Sequence, residues 1–331
     1  MSVAAWSLLA PTEGASVDQS VRKALVRSLR ALLAKVAKHV ELDQASLQTL
    51  LSGIDAGPVK PVIFGLYTDL VEALFRGDSV ALGATTEDLI RLDPAGAGLR
   101  IVSLTDRDLG AGNAVRYARL IDDDPIRKYG IRPHIKNFSE AKAIVSSALK
   151  LVDAGAPELA QETRALVREI VLVTDAKDDA ARSFDGASTF YLWGAVFLNV
   201  GAATRLHLAQ QLAHEAAHLL LFGLMMGQPL TENDPEERFS SPLRKDARPM
   251  EGVVHAAYVL ARVSYVLERL LKSGMLMVAE QQEAKGRLIL NRNRFFDALP
   301  TIVRHARLKP EAKAVFHGAI EYMNRQTAVL R

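Results

Sequence analysis

Hydrophobic positions along the chain follow two different periods. Over residues 17–40, Val21, Leu25, Leu29, Leu32, Val36 and Val40 recur at helical spacing and form one apolar stripe. The opposite face carries Arg22, Lys23, Arg27, Arg30, Lys35 and Lys38, which reads as a solvated face or as a dock for an acidic peptide segment. Further helices are predicted near 44–52, 66–75, 138–152 and 157–168, and a short strand lies between glycine turns in GAGLRIVSLTDRDLGAG (96–112). At residue 169 the period changes. EIVLVTD (169–175) is β-branched and strand-like, FDGAS (184–188) is a turn, and TFYLWGAVFLNV (189–200) reads as a strand or hairpin. A long helix follows from about Thr204 to Met226, stopped by Gly227 and Pro229. Residues 228–247 are polar and read as a loop. Pro249 then opens a second long helix that reaches about Lys272. The remainder, 276–329, is predicted helical with breaks at Pro300 and Pro310.

These elements describe an α+β chain, mostly α-helical, with a small sheet in the middle. A mainly helical N-terminal region (1–150) precedes a region (151–331) that carries the residues of chemical interest. At 331 residues, 49% of them hydrophobic and 24% charged, the chain can bury a substantial core and has the composition of a folded protein. It contains no cysteine, which excludes disulfides, iron–sulfur ligation and thiol nucleophiles; a metal would need His, Asp, Glu or backbone oxygens. A net charge of +3, without a basic run interleaved with aromatics, gives no reason to expect a nucleic-acid partner. The first residues lack the basic segment and apolar core of a signal peptide. The longest apolar run, LLLFGLMMG, is far shorter than a bilayer span, so a cytoplasmic protein with no membrane partner is expected.

The candidate chemistry sits in LAHEAAHLLL (212–221). His214 and His218 are one turn apart on one helix face, so their imidazoles converge, and Glu215 lies about 100° round the helix. His207 and Gln211 share that stripe; His207 reads as an outer partner of the site or as a surface residue. Polar groups on a buried stripe cost free energy unless satisfied, and a metal with its outer partners would satisfy them. Two histidines do not complete a site. The extended HExxHxxGxxH form is absent, because Leu221 and Leu224 stand at its glycine and third-histidine positions. The next candidates lie in RPMEGVVHAAYVLARV (248–263), where Glu251 and His255 are one turn apart and Arg262 is seven residues further on. Glu251 also suits a first helical turn for purely electrostatic reasons. GAVFLN (194–199) reads as either an edge strand able to pair with an extended peptide or an interior strand.

HEAAH, followed after a loop by RPMEGVVHAAY, resembles the HExxH-containing peptide-modification enzymes of gene clusters for ribosomally made, modified peptides, described as 2-oxoglutarate-dependent peptide β-hydroxylases. The resemblance covers mainly residues 183–265. It implies Fe(II), 2-oxoglutarate and oxygen, a peptide substrate that includes a leader segment if residues 1–150 recognise one, and His214, His218 and His255 as metal ligands. Better-known iron oxygenases use two histidines and a carboxylate. Glu251 as third ligand would restore that charge, so the choice between His255 and Glu251 stays open. A cation must pair with the distal carboxylate of 2-oxoglutarate; Arg262 is the first choice and Arg248 the second. Glu215 would orient a ligand. The expected fold is a zincin-like core with a small sheet and two metal-bearing long helices; the alternative function is a zinc metallopeptidase in which His214, His218 and Glu251 bind Zn2+ and Glu215 is the general base. A non-catalytic helical protein with a structural metal or polar cluster is the third reading.

Overall fold

The fold was examined in a computed structural model that describes residues 14–96, 98–122, 130–134, 136–174, 185–201, 203–241 and 244–326. Asp175, Phe184 and the last few residues of the stretch predicted helical to 329 lie outside them. In chain order the helices are α1 (Gly14–Val36), α2 (Gln44–Ala56), α3 (Val62–Arg76), α4 (Ser79–Arg91), α5 (Asp106–Leu109), α6 (Asn113–Ile121), α7 (Phe138–Gly155), α8 (Pro157–Leu166), α9 (Arg205–Leu224), α10 (Met250–Lys272), α11 (Val278–His305) and α12 (Pro310–Arg325). The strands are β1 (Arg100–Ser103), β2 (Arg132–Pro133), β3 (Glu169–Thr174), β4 (Gly186–Ser188), β5 (Ala195–Asn199), β6 (Phe239–Ser241) and β7 (Arg244–Arg248). The protein is thus mostly helical with a small sheet. No described helix is long and apolar enough to cross a membrane.

Several elements differ from the sequence pattern, among them β6 and β7, an antiparallel pair that falls largely in the stretch 228–247 read as a loop. α4 forms where no helix was expected, starting beneath Asp78, whose carboxylate accepts from the Ala81 amide at 3.0 Å. α6 was also unexpected; nine residues are too few for periodicity to declare itself. Pro300 lies inside α11 and does not end it. Loss of one amide donor is tolerated there because α11 packs closely against α10 along its length.

The chain folds as two compact units. A sheet unit comprises Ala15–Lys142 and Arg164–Gly201, and a helical unit comprises Ala143–Thr163 and Ala202–Arg331. The division is therefore not a single cut near residue 150. Residues 164–201, assigned from sequence to the region of the metal motif, complete the sheet with β1 and β2.

In the sheet unit the strand order is β1-β3-β5-β4, with β2 pairing the far end of β3. β1, β3 and β5 are parallel; β4 and β2 run antiparallel to their neighbours. β3 and β5 are buried at nearly every position, as central parallel strands covered on both faces must be. β5 lies between β3 and β4, so GAVFLN is an interior strand with partners on both sides, and the edge-strand reading is corrected.

Arg22, read from sequence as part of a solvated face, is buried instead. Its Nε donates to Asp18 at 3.0 Å, and its Nη1 donates to the Ile54 and Asp55 carbonyls at the end of α2 at 2.9 and 3.0 Å. Asp18 also accepts from the Trp193 indole at 3.1 Å, just before β5. One buried carboxylate therefore ties α1 to α2 and to the sheet. Asp18→Asn leaves the guanidinium without its counter-charge and should destabilise the protein by about 3–5 kcal/mol, measured as a lower urea midpoint at pH 7.

In the helical unit α10 packs against α9, α11 and α12. The start of α9 is fixed twice: Thr204 accepts from the His207 amide at 3.1 Å, and Arg205 makes two 2.7 Å bonds to Glu280 in the first turn of α11. The HEAAH sequence is carried nine to thirteen residues beyond Arg205, on the helix that lies against α10.

Candidate functional site

α9 and α10 bring together four of the side chains singled out in the sequence. The Nε2 atoms of His214 and His218 are 3.2 Å apart. His255 stacks on His218 with ring centroids 5.7 Å apart and planes 22° apart, its Nδ1 3.5 Å from the His218 Nδ1. The Nε2 of His255 bonds Glu251 at 3.0 Å, one turn back on α10. Two imidazoles thus flank the His218 ring, His214 at its Nε2 and His255 at its Nδ1. Among the described residues no three His, Asp or Glu side chains point at a single centre as a closed metal site requires. What is assembled is a converging pair with a third imidazole beside it.

Glu251 has a larger part than the sequence suggested. Its carboxylate accepts from the Leu230 amide at 2.9 Å, the Thr231 amide at 3.1 Å and the Thr231 hydroxyl at 3.3 Å, besides the His255 ring. Burial pushes its pKa up, but the bonds from His255, Leu230 and Thr231 and the neighbouring imidazole charge outweigh this and hold it below the usual glutamate value. The polar loop after α9 is thereby fastened to the first turn of α10. Because the carboxylate accepts the Nε2 proton of His255, the lone pair of that ring belongs to Nδ1, the atom facing His218.

The remaining residues of RPMEGVVH also have places. Pro249 caps α10 without a side-chain bond and sets the angle at which β7 enters it. Gly252 leaves room for Arg248: a Cβ there would lie 3.2 Å from the guanidinium Cζ and Nη2. Arg248 is close enough for its charge to act on His218. Burial drives the His218 pKa well below the ordinary histidine value, and His214, His255 and Arg248 drive it further. His218 is therefore neutral at pH 7 and keeps a lone pair to donate. Phe222, one turn beyond His218, stacks on it at 6.0 Å and leans on His255 at 5.5 Å, closing one side of the cluster. The His214 side chain is 41% exposed, so the pair opens to solvent on its own side, while Glu215 is buried with Oε1 3.9 Å from His214 Nε2.

Two candidates lie elsewhere. Arg262, the first choice for the cosubstrate carboxylate, is buried and paired with the equally buried Glu162 of α8. His207 turns to α11, its Nδ1 3.4 Å from Arg287. Thr231, Gly252 and Phe222 were missed in the sequence. Phe222 was accessible from its four-residue spacing to His218, and Gly252 from its place in RPMEGVVH; nothing in the sequence linked Thr231 to Glu251.

No family model matches the chain, and no curated protein matches it at a significant level. The site is therefore read from its own chemistry.

Since Glu251 is held below its free value of 4.5, its contribution to stability is complete at neutral pH and is lost as pH falls below that value through the lower folded pKa. Glu251→Gln should cost about 1–3 kcal/mol at pH 7 and progressively less towards pH 3. Urea midpoints of the two proteins measured across that range should converge.

Proposed function

We propose that this chain is an Fe(II)- and 2-oxoglutarate-dependent oxygenase that hydroxylates a side-chain β-carbon of a ribosomally made peptide, with His214, His218 and His255 holding the metal. The observation that carries the choice of ligands is the bonding of Glu251. A carboxylate already accepting from two amides, a hydroxyl and an imidazole is an orienting partner for His255, not a third ligand. That weakens the zinc peptidase, which needs Glu251 on the metal. β5, the strand that could have held an extended peptide at an edge, is paired on both sides.

Of the three histidines, His214 and His218 fit a metal as they stand; His255 would have to turn, since its Nδ1 faces His218 Nδ1 and not the Nε2 pair. Metal–nitrogen bonds of roughly 2.1 Å at about 100° place two ligand nitrogens about 3.2 Å apart. The His214 and His218 Nε2 atoms have that separation. Of the zincin-like expectation, this reading keeps the two long helices bearing the ligands, α9 and α10. The peptide substrate and the β-carbon rest on the resemblance of HEAAH and RPMEGVVH to the peptide β-hydroxylases.

Fe(II) with bound 2-oxoglutarate and oxygen supplies the oxidising power for an unactivated C–H bond. The chain supplies the rest. His214 and His218 present neutral nitrogens from one helix face, and Glu251 holds the proton of His255 on Nε2 so that Nδ1 is the donor. Phe222 keeps water from the His218 and His255 rings. Imidazole ligands would bring no negative charge to the metal, which favours a dianionic cosubstrate, and Arg248 is the cation beside the cluster that would receive its distal carboxylate. Glu215 steadies His214 from the buried side.

Adding Fe(II) and then 2-oxoglutarate to the apoprotein without oxygen tests this by its visible spectrum. A metal-to-ligand charge-transfer band is expected, absent in His255→Ala and retained in Glu251→Gln with iron binding roughly 10–100-fold weaker. Arg248→Met should need at least about tenfold more 2-oxoglutarate at unchanged iron affinity, the loss of one charge-assisted pair. Absence of the band, with tight zinc binding that requires Glu251, would replace the oxygenase with the peptidase.

A further inference from the structure

The cations of α1 and the turn after it fall into two environments. Arg22 is buried and bonded to Asp18 and to the end of α2. Lys23, Arg27, Arg30, Lys35 and Lys38 are exposed. Among the described residues none of them has an ion pair or a side-chain hydrogen bond. Asp18 is the only acid between Gly14 and Val40, and it is buried. Surface cations of other helices have an acid one turn away: Arg91 has Glu87, Lys272 has Glu268 and Arg287 has Glu283.

Lys35 and Lys38 have a local reason for their charge, since they stand at the carboxyl end of α1 and answer its dipole. Lys23, Arg27 and Arg30 lie in the middle of the helix and have none. They stand at i, i+4 and i+7, within about 60° of one another round the axis and about 10 Å from first to last. Like charges at three- and four-residue spacing oppose helix formation, so this row is kept against its own repulsion. Its support is firm. Val21, Leu25, Leu29, Leu32 and Val36 on the opposite face are all buried, and exposed Ala31 and Ala34 leave the row open to approach.

The surroundings narrow what could answer these charges. No large hydrophobic side chain of α1 is exposed, so the helix has no apolar wedge for a bilayer. It has no aromatic residue on which a base could stack, and the Tyr67 hydroxyl beside it is engaged at 2.6 Å by Ser28. We propose that the outer face of α1 binds an acidic segment of a polypeptide partner, whose carboxylates pair with Lys23, Arg27 and Arg30. The two arginines offer two-point pairing to carboxylates, and Lys35 and Lys38 extend the positive field along the segment. The face lies on one helix of the sheet unit and does not depend on the oxygenase reading.

The test is fluorescence anisotropy of a labelled, short Glu-rich peptide titrated with the whole protein at low ionic strength. An oligothymidylate and phosphatidylserine vesicles are titrated in parallel. Two triple variants are compared: Lys23→Gln with Arg27→Gln and Arg30→Gln, and a control, Lys285→Gln with Arg304→Gln and Lys313→Gln, which removes the same charge from exposed positions of the helical unit. The peptide should bind the unaltered protein, at least about tenfold more weakly the first variant, and equally well the control. The first variant should keep or raise its Tm, because only like-charge repulsion is removed, so a loss of binding is not a loss of folding. No binding of the peptide, or equal weakening in both variants, overturns the proposal. So does tighter binding of the oligothymidylate or the vesicles than of the peptide through the same three residues.

Discussion

The arrangement of the histidine cluster depends on one carboxylate that cannot be left unpaired in a half-buried position. Glu251, in the first turn of α10, gathers the Leu230 and Thr231 amides, the Thr231 hydroxyl and the His255 ring, which come from two parts of the chain: the loop after α9 and the second turn of α10. Satisfying that group fixes where the loop returns, and so the height at which α10 passes α9. His255 then has no choice of level relative to His218. The stacked pair and the Phe222 ring beside it follow from this register and from the spacing of α9.

Charge is handled differently in the two places where arginine matters to the helical unit. Arg262 and Glu162 are both nearly inaccessible, and each is held by the other. Burial pushes the Glu162 pKa up against the pull of Arg262. Such a pair fixes one packing of α8 on α10 while adding little net stability. Arg248 is half-buried at the end of β7, over a glycine, with an imidazole cluster beside it. The first arginine is masked by an acid, and the second adds positive potential to a site rich in neutral nitrogen. Sequence spacing favoured Arg262 because it lies deeper in an apolar helix, but depth in this case meant an internal partner.

Much of the architecture was legible because long amphipathic helices declare themselves. α9 and α10 fall within a few residues of the bounds read from Thr204, Gly227 and Pro249, and the β-branched run at 169 became β3. The pair His214 and His218 was readable from helical geometry alone, and His255 and Glu251 from their polarity on an apolar face. The relation between these groups was not. Which of Glu251 and His255 faces the other, and which faces the pair, depends on backbone amides at Leu230 and Thr231 that carry no sequence signal. Glu162 was unreadable for a similar reason: it meets Arg262 across 100 residues of chain. α4 escaped notice because Gly83, Thr85 and Thr86 dilute its pattern, although Asp78 marked its start.

The chain leaves the sheet unit after Lys142 and re-enters it at Arg164, and this bears on the order of events during synthesis. β1 waits for β3, since Arg100 pairs with Glu169, 69 residues later; closing a loop of that length costs about 4 kcal/mol before any contact rewards it. The N-terminal helices therefore leave the ribosome without the sheet they will cover, and α7 emerges before most of the helices it will join. Only when Gly201 has been made are all strands of the sheet available, and HEAAH follows within about twenty residues. The HEAAH helix thus enters a chain whose other unit already has all its parts, while its own partner α10 is still unmade. Until then the histidines of α9 are exposed on a helix with nothing to pack against, a state in which early metal capture would be unselective.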